Sequence, residues 1–338
     1  MSTRNVLLVD WDPPVTWSFL GGLEAASGEP WEIKKKITNR NHGNTFRSCI
    51  RYLQYAFFPL RIFFGRKKYR QVLAWQQFFG LFLAFYCRLF HVRRAPAITI
   101  MTFIYKPKRG LAGRLYGRFV RYAVTSRFVR RILVYSHEEV AYYASLFGLP
   151  EERFAAVRLG EEDMTGRIPI AAPGDYCLSC GRSNRDYSFL LDIWSQSQGK
   201  LKIVCDDRKL EGNGNIEIFS HCYGDAYYQM LAQSYAVIIP LEDEHISSGQ
   251  LVMIQAMMYG KPCIVTRNET VTDYIVDGKN GYVIPKDREA LMEALEHLRD
   301  PAVWRRMSEA AREMYVTRYS AGALGDAVGR LVAANEND

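Results

Sequence analysis

Between positions 241 and 262 the chain reads LEDEHISSGQLVMIQAMMYGKP. Ser247, Ser248, Gly249 and Gln250 close a polar loop and open an apolar helical run that stops at Gly260-Lys261-Pro262. Serine suits a helix N-cap, and glycine leaves the backbone open to close approach by another molecule. A helix beginning there presents free N–H groups and the positive end of its dipole. That arrangement seats a phosphate or a sugar hydroxyl. A Ser-capped helix between two strands also occurs in α/β domains that bind nothing there, so the local chemistry leaves both readings open.

Two short apolar stretches, 235–240 and 263–266, flank the loop and read as buried strands. The loop therefore falls at the carboxyl end of a parallel strand, where open α/β sheets hold ligands. The same rhythm runs through the chain. Strands are expected at 6–9, 31–33, 72–75, 97–101, 132–136 and 157–160, then at 176–180, 201–205 and 216–219. Helical runs lie between them, among them 46–70, 78–87 and 113–131, and the chain ends in helices at 287–299, 301–315 and 321–334. A length of 338 residues suggests two domains. A polar, Pro-containing linker at 161–174 separates them.

Residues 247–262 resemble the donor-binding signature of retaining GT-B glycosyltransferases of the glycogen-synthase-like group, E-G-F-G-L-x-x-x-E-A-M-A-x-G-x-P. Asp273-Tyr-Ile-Val-Asp-Gly278-Lys-Asn-Gly281 resembles the same group's E-x-I-x-D-G-x-N-G, and Gly181-Arg182 resembles its domain-opening G-R. The resemblance spans about residues 174–316. It implies an α/β GT-B fold with two Rossmann-like, doubly wound domains facing a cleft. Residues 1–165 would form the acceptor- and membrane-facing domain and 174–316 the nucleotide-sugar domain. Residues 317–338 would be a helix returning to the first domain.

The resemblance also assigns roles. Arg182 would grip the donor diphosphate, with Arg185 standing in for a family lysine that falls on Tyr187. Ser247, Ser248, Gly249 and Gln250 would hold the sugar and distal phosphate, and Gln255 the ribose. The base would pack near His221 and Tyr223. The chain departs from the family pattern where two glutamates fall on Ser247 and Gln255. Gln255 still donates and accepts hydrogen bonds. The hydroxyls of Ser247 and Ser248, or a nearby acid such as Glu242 or Glu244, would replace the first carboxylate. The family works without a divalent metal, so Asp206-Asp207 reads as a loop. No metal or cofactor is expected beyond a UDP- or GDP-type sugar as co-substrate.

Charge divides the chain. Its formal net charge is +8, yet residues 33–137 contain no Asp or Glu and 23 Lys and Arg. The remainder holds 21 basic and 36 acidic residues. A polyanionic partner is expected for the first half. Residues 46–70, FRSCIRYLQYAFFPLRIFFGRKKYR, interleave aromatic and basic side chains in a way that suits an anionic membrane interface. A core helix with a solvated basic rim has the same composition; no nucleic-acid-binding motif is visible. In the loop at 102–109, Lys106 and Arg109 could meet an anionic acceptor or be solvated charge. The apolar run at 78–87 is about half the length a membrane span needs. Seven cysteines, an odd number, and a start without a signal peptide predict reduced thiols and a cytoplasmic setting. Cys177 and Cys180 form a lone CxxC inside a buried strand, which argues against a redox or metal role.

The expectation is a cytoplasmic glycosyltransferase, peripheral on the inner face of the cell membrane, acting in surface-glycan assembly. It would move a sugar from a nucleoside-diphosphate sugar to a hydroxyl of a lipid-linked or glycan acceptor, with retention. Two rivals are a GT-B sugar-nucleotide epimerase and a non-catalytic sugar-nucleotide-binding partner of another transferase.

Overall fold

The computed structural model describes residues 4–38, 45–195, 199–207, 210–244, 248–268 and 271–334, with the backbone alone for 45–49. Two six-stranded sheets organise the chain, each inside its own compact unit, and every strand pairing is parallel.

The first unit comprises Met1–Leu159 and Leu324–Asp338. Its elements are β1 (Arg4–Val9), α1 (Ser18–Ser27), β2 (Trp31–Lys35), α2 (Thr45–Phe64), β3 (Tyr69–Ala74), α3 (Gln77–Leu89), β4 (Ala97–Ile100), α4 (Gly110–Val124), β5 (Val129–Val134), α5 (His137–Phe147) and β6 (Phe154–Ala156). The strand order is β2-β1-β3-β4-β5-β6. Central strands such as Val6–Val9 are apolar throughout because helices cover both faces of a parallel sheet. On one face Val6, Leu8, Val72, Ile98, Ile100 and Ile132 share a core with aromatic side chains of α2, α3 and α4. Those three helices lie side by side, joined by ring pairs such as Phe58–Phe79 at 4.8 Å and Phe82–Phe119 at 4.7 Å.

Three elements of this unit differ from the sequence-based expectation. The helical run expected at 46–70 is α2 only to Phe64; Tyr69 and Arg70 open β3, where Tyr69 pairs with Arg4 of β1. The helix expected at 113–131 is α4, which starts earlier and ends at Val124. Arg130 and Arg131 belong to β5, because Val129 and Ile132 pair with β4 and draw the segment into the sheet. The strand expected at 157–160 is β6, three residues earlier, in register with β5 from Ile132↔Phe154. Only Val157 extends that pairing, donating its N–H to the Val134 carbonyl at 2.8 Å.

The second unit, Gly160–Ala323, contains β7 (Tyr176–Cys180), α6 (Tyr187–Trp194), β8 (Lys200–Val204), β9 (Ile216–Phe219), α7 (Asp225–Gln233), β10 (Ala236–Ile239), α8 (Gln250–Met258), β11 (Cys263–Thr266), β12 (Gly281–Ile284), α9 (Arg288–Leu298) and α10 (Pro301–Met314). Its strand order is β12-β11-β10-β7-β8-β9, so the winding reverses between β7 and β10. Loops at the carboxyl ends of such a pair diverge and leave a crevice. Caps place the closing helices: Asp287 accepts the Ala290 N–H at 2.8 Å, and Asp300 caps α10, with Pro301 in its first turn. A π-helical turn, Tyr315–Tyr319, leads to α11 (Ala321–Ala334), and residues from Leu324 onward cluster with the first unit. In that unit α11 lies tight on α1: a Cβ on Gly325 would come within 2.1 Å of the Phe19 carbonyl oxygen. Among the described residues no helix is long and apolar enough to cross a membrane.

Candidate functional site

β7 ends at Cys180, and the chain turns at Gly181 with φ of +102°. A Cβ at Gly181 would stand 2.9 Å from Nη2 of Arg185, so the missing side chain makes room for that guanidinium. Arg185 is tied down by its own turn. Its Nε donates to the Cys180 carbonyl at 3.0 Å and its Nη1 to the Ser183 carbonyl at 2.8 Å. Burial holds its pKa below the usual arginine value, and no carboxylate pairs with it among the described residues. Tyr187, at the family's lysine position, is buried, and its hydroxyl donates to the Gly181 carbonyl at 2.6 Å. Tyr187 therefore shapes the turn, while Arg182 and Arg185 supply its charge.

The turn is stitched to the loop before α8. Asn184, in the left-handed region at φ +54°, accepts the Asp243 N–H at 2.8 Å. Its Nδ2 donates to the Asp243 carbonyl at 3.0 Å and to Ser248 Oγ at 3.1 Å. Ser248 is buried by this contact and does not cap the helix, against the sequence-based expectation. Gly249 occupies the N-cap with φ +88°, and among the described residues no side chain caps α8. The serine hydroxyl is the acceptor for the Asn184 amide, so the capping position passes to the residue that tolerates positive φ. A Cβ at Gly249 would lie 3.3 Å from Ile239 and 3.6 Å from Nη2 of Arg185, which puts the start of α8 against the half-buried guanidinium. Gln250 opens the first turn of α8. Ser247 lies outside the described residues.

A cavity of about 570 Å³ opens at the carboxyl ends of β7, β8 and β9. Gly181, Arg182, Asp206, Tyr223, Tyr227 and Gln255 line it, with Leu251 and Val252 from α8. Gln255 is held by α7: its Oε1 accepts from the Tyr227 hydroxyl at 2.8 Å, and its Nε2 donates to the Tyr228 hydroxyl at 3.4 Å. Burial pushes the Tyr227 phenol well above its ordinary range, so it stays a donor. Asp206 accepts from the Tyr223 hydroxyl and from the His221 N–H, the latter at 2.8 Å. These contacts, the tyrosine's first, hold the Asp206 carboxyl below its usual range. Asp206 is thus the anchor of the 221–223 turn, a role that the reading as a plain loop missed.

Of the expected site residues, the cavity brings together Arg182, Tyr223 and Gln255, with Arg185 and Gly249 in contact behind the turn. His221 is not in its lining; its backbone, at φ +54°, is what Asp206 holds. Lys106 and Arg109 are exposed in the first unit, Arg109 immediately before α4. Sequence reasoning missed Asn184, Tyr227 and Tyr228. Their only signal was position, since the contacts they make are 27 to 64 residues away in sequence. Cys177 and Cys180 are buried, and burial pushes their thiols up to about 12 and about 11, so neither is a thiolate at neutral pH.

Residues 181–314 match the family model of glycosyl transferases group 1. A search of curated proteins returned no match. Among solved structures, a glycosyltransferase from Rickettsia africae is similar over 100% of both chains at 13% identity and a TM-score of 0.65. HepE of Anabaena, solved with UDP, is similar over 98% of this chain and 100% of its own, at 13% identity and 0.62. The UDP-GlcNAc 2-epimerase of Methanocaldococcus jannaschii follows over 98% and 100%, at 11% identity and 0.58. At such identities the likeness is one of fold. The fold is GT-B, and residues 181–314 of its second unit match the group 1 glycosyl transferase model.

Proposed function

We propose that the second unit binds a nucleoside-diphosphate sugar and that the chain transfers the sugar to a hydroxyl of a lipid-linked or glycan acceptor with retention. The observation that carries this is the cavity at the point where the winding reverses, with an exposed arginine and a half-buried one at the turn after β7. In this reading the diphosphate meets Arg182, Arg185 and the first turn of α8. Planar guanidinium groups suit bidentate phosphate contacts. Charge grows on the diphosphate as the sugar bond breaks, and fixed cations stabilise it. Gln255, fixed by Tyr227 and Tyr228, faces the ribose, and Tyr223 stacks on the base. The leaving phosphate takes the acceptor proton, so no strong general base is needed. No cofactor and no divalent metal is needed in this scheme, and turnover is expected to survive a chelator.

HepE was solved with UDP and with UDP-glucose, which favours a uridine nucleotide here. The acid-free stretch at 33–137 favours an anionic acceptor, a polyprenyl-diphosphate-linked sugar being one that also answers its aromatic residues. In this reading the chain works on the cytoplasmic face of the cell membrane, in surface-glycan assembly. The shared fold of the epimerase makes epimerisation the second reading. Among the described residues the cavity lining holds one carboxylate, Asp206, and no histidine, so it offers no acid–base pair for that chemistry.

Thermal unfolding with UDP, GDP, ADP, CMP and dTDP tests the donor site. At about a hundred times Kd, a ligand adds about 2.7 kcal/mol of stability. UDP alone raising Tm is the expected result; no shift with any nucleotide removes the proposal. Nucleotide binding without hydrolysis or transfer from any UDP-sugar would favour the non-catalytic partner.

A further inference from the structure

α2 carries two apolar stripes. The inner one, with Tyr55, Ile62 and Phe63, is buried in the core of the first unit. The outer one runs through Ile50, Leu53, Phe57 and Phe64, at helical spacing on the opposite side, with exposures of 40, 55, 62 and 77%. A solvent-facing helix ordinarily carries polar residues there. At the end of α3 Leu89 and Phe90 are also exposed; the Phe90 ring lies 5.4 Å from that of the inner Phe63, whose ring lies 5.5 Å from the outer Phe64. Contiguous apolar surface of this kind marks an interaction face.

Its charge narrows the partner. Arg61 is exposed on α2, and exposed Lys67 and Lys68 follow it directly. None of the three has a carboxylate partner among the described residues, and sequence neighbours supply none across 33–137. In the same three-helix layer α4 repeats the pattern, with exposed Leu111 and Leu115 beside exposed Arg114 and Arg118. A second copy docking through this face would oppose cation to cation with no acid between them. A nucleic acid would satisfy the cations and leave the aliphatic stripe wet. An anionic bilayer satisfies both: side chains enter the acyl boundary while cations stay at headgroup level.

We propose that the outer face of α2, centred on Phe57 and Phe64, docks the chain on an anionic lipid surface, with Arg61, Lys67 and Lys68 at the headgroups. This deepens the membrane-bound part of the function proposed above and stands apart from its donor site. The helix would lie in the plane of the interface.

The test is flotation of the full chain with vesicles of phosphatidylcholine, alone or mixed with phosphatidylglycerol. The expected result is binding to the mixed vesicles that weakens with salt. Phe57→Glu with Phe64→Glu should lower it by more than about tenfold, and Lys67→Gln with Lys68→Gln by several-fold, with Tm and nucleotide-induced stabilisation unchanged. Failure of the unaltered chain to float, or undiminished flotation of the glutamate variant, overturns the proposal. So does a glutamate variant that changes only the sedimentation mass, which would assign the face to a second copy. Flotation with no nucleotide response would instead remove the donor reading and leave this one standing.

Discussion

The two units treat positive charge in opposite ways. The first displays it: 23 Lys and Arg without a single Asp or Glu across residues 33–137, many exposed on α2, α4 and the loop before α4. The second unit hides two of its cations. Arg185 is folded under its own turn, and Lys261 is fully buried, its Nζ donating to the Ala171 carbonyl at 3.3 Å and lying 5.9 Å from the Trp304 ring. A displayed charge is screened and serves diffuse attraction to a surface. A cation held in place without a carboxylate is costly, and it can hold an anion in one geometry. In the readings proposed above, one sheet plan serves two electrostatic purposes, a broad docking face and a narrow seat.

The sharpest break of this contrast is Arg185→Ala. If its half-buried guanidinium is the anion's partner, nucleoside-diphosphate affinity falls by roughly a hundredfold, about 3 kcal/mol, in calorimetry. Vesicle binding by the first unit should not change. An unaltered Kd would make Arg185 a structural residue of its turn.

Lys261 gives a pH signature. Burial pushes its pKa down to about 8 from 10.5. Between those values the unfolded chain binds more protons than the folded one, so stability attributed to Lys261 rises with pH through that window and is absent below it. Chemical denaturation at pH 7.5 and at pH 10 should show the effect as a difference between the unaltered chain and Lys261→Met, on the order of 2–3 kcal/mol. No pH-dependent difference would mean that the ammonium is better solvated than its burial implies.

Gly325→Ala probes the first unit alone. The new Cβ meets the Phe19 carbonyl, so α11 must shift off α1, at about 2 kcal/mol. Tm falls, while the nucleotide-induced shift persists. The smallest effect is Gln255→Leu, which keeps the volume and removes the amide. A loss of about tenfold in nucleotide affinity is expected, and an unchanged value would detach Gln255 from the ribose.

Much of this was legible in the sequence. Short β-branched runs alternating with helical ones announced two parallel sheets, and the 247–281 motifs with Gly181-Arg182 announced the GT-B fold. The acid-free stretch at 33–137 is visible to a count. The errors fell where local pattern competes with pairing: Arg130 and Arg131 read as helix until β4 pulled them into a strand. Ser248 read as a cap, because capping is a local rule and the Asn184 amide that claims it is 64 residues away.

By itself, then, the sequence determined the element types, the parallel plan, the charge division and the glycines at the two turns, all of which follow from short-range sterics and hydrophobic period. Tertiary structure alone decided that Arg185 lies against Gly249, that Tyr227 and Tyr228 fix Gln255, and that one stripe of α2 is left outside. Burial and hydrogen bonding between residues far apart in sequence depend on how the strands are ordered, and no local pattern encodes that order.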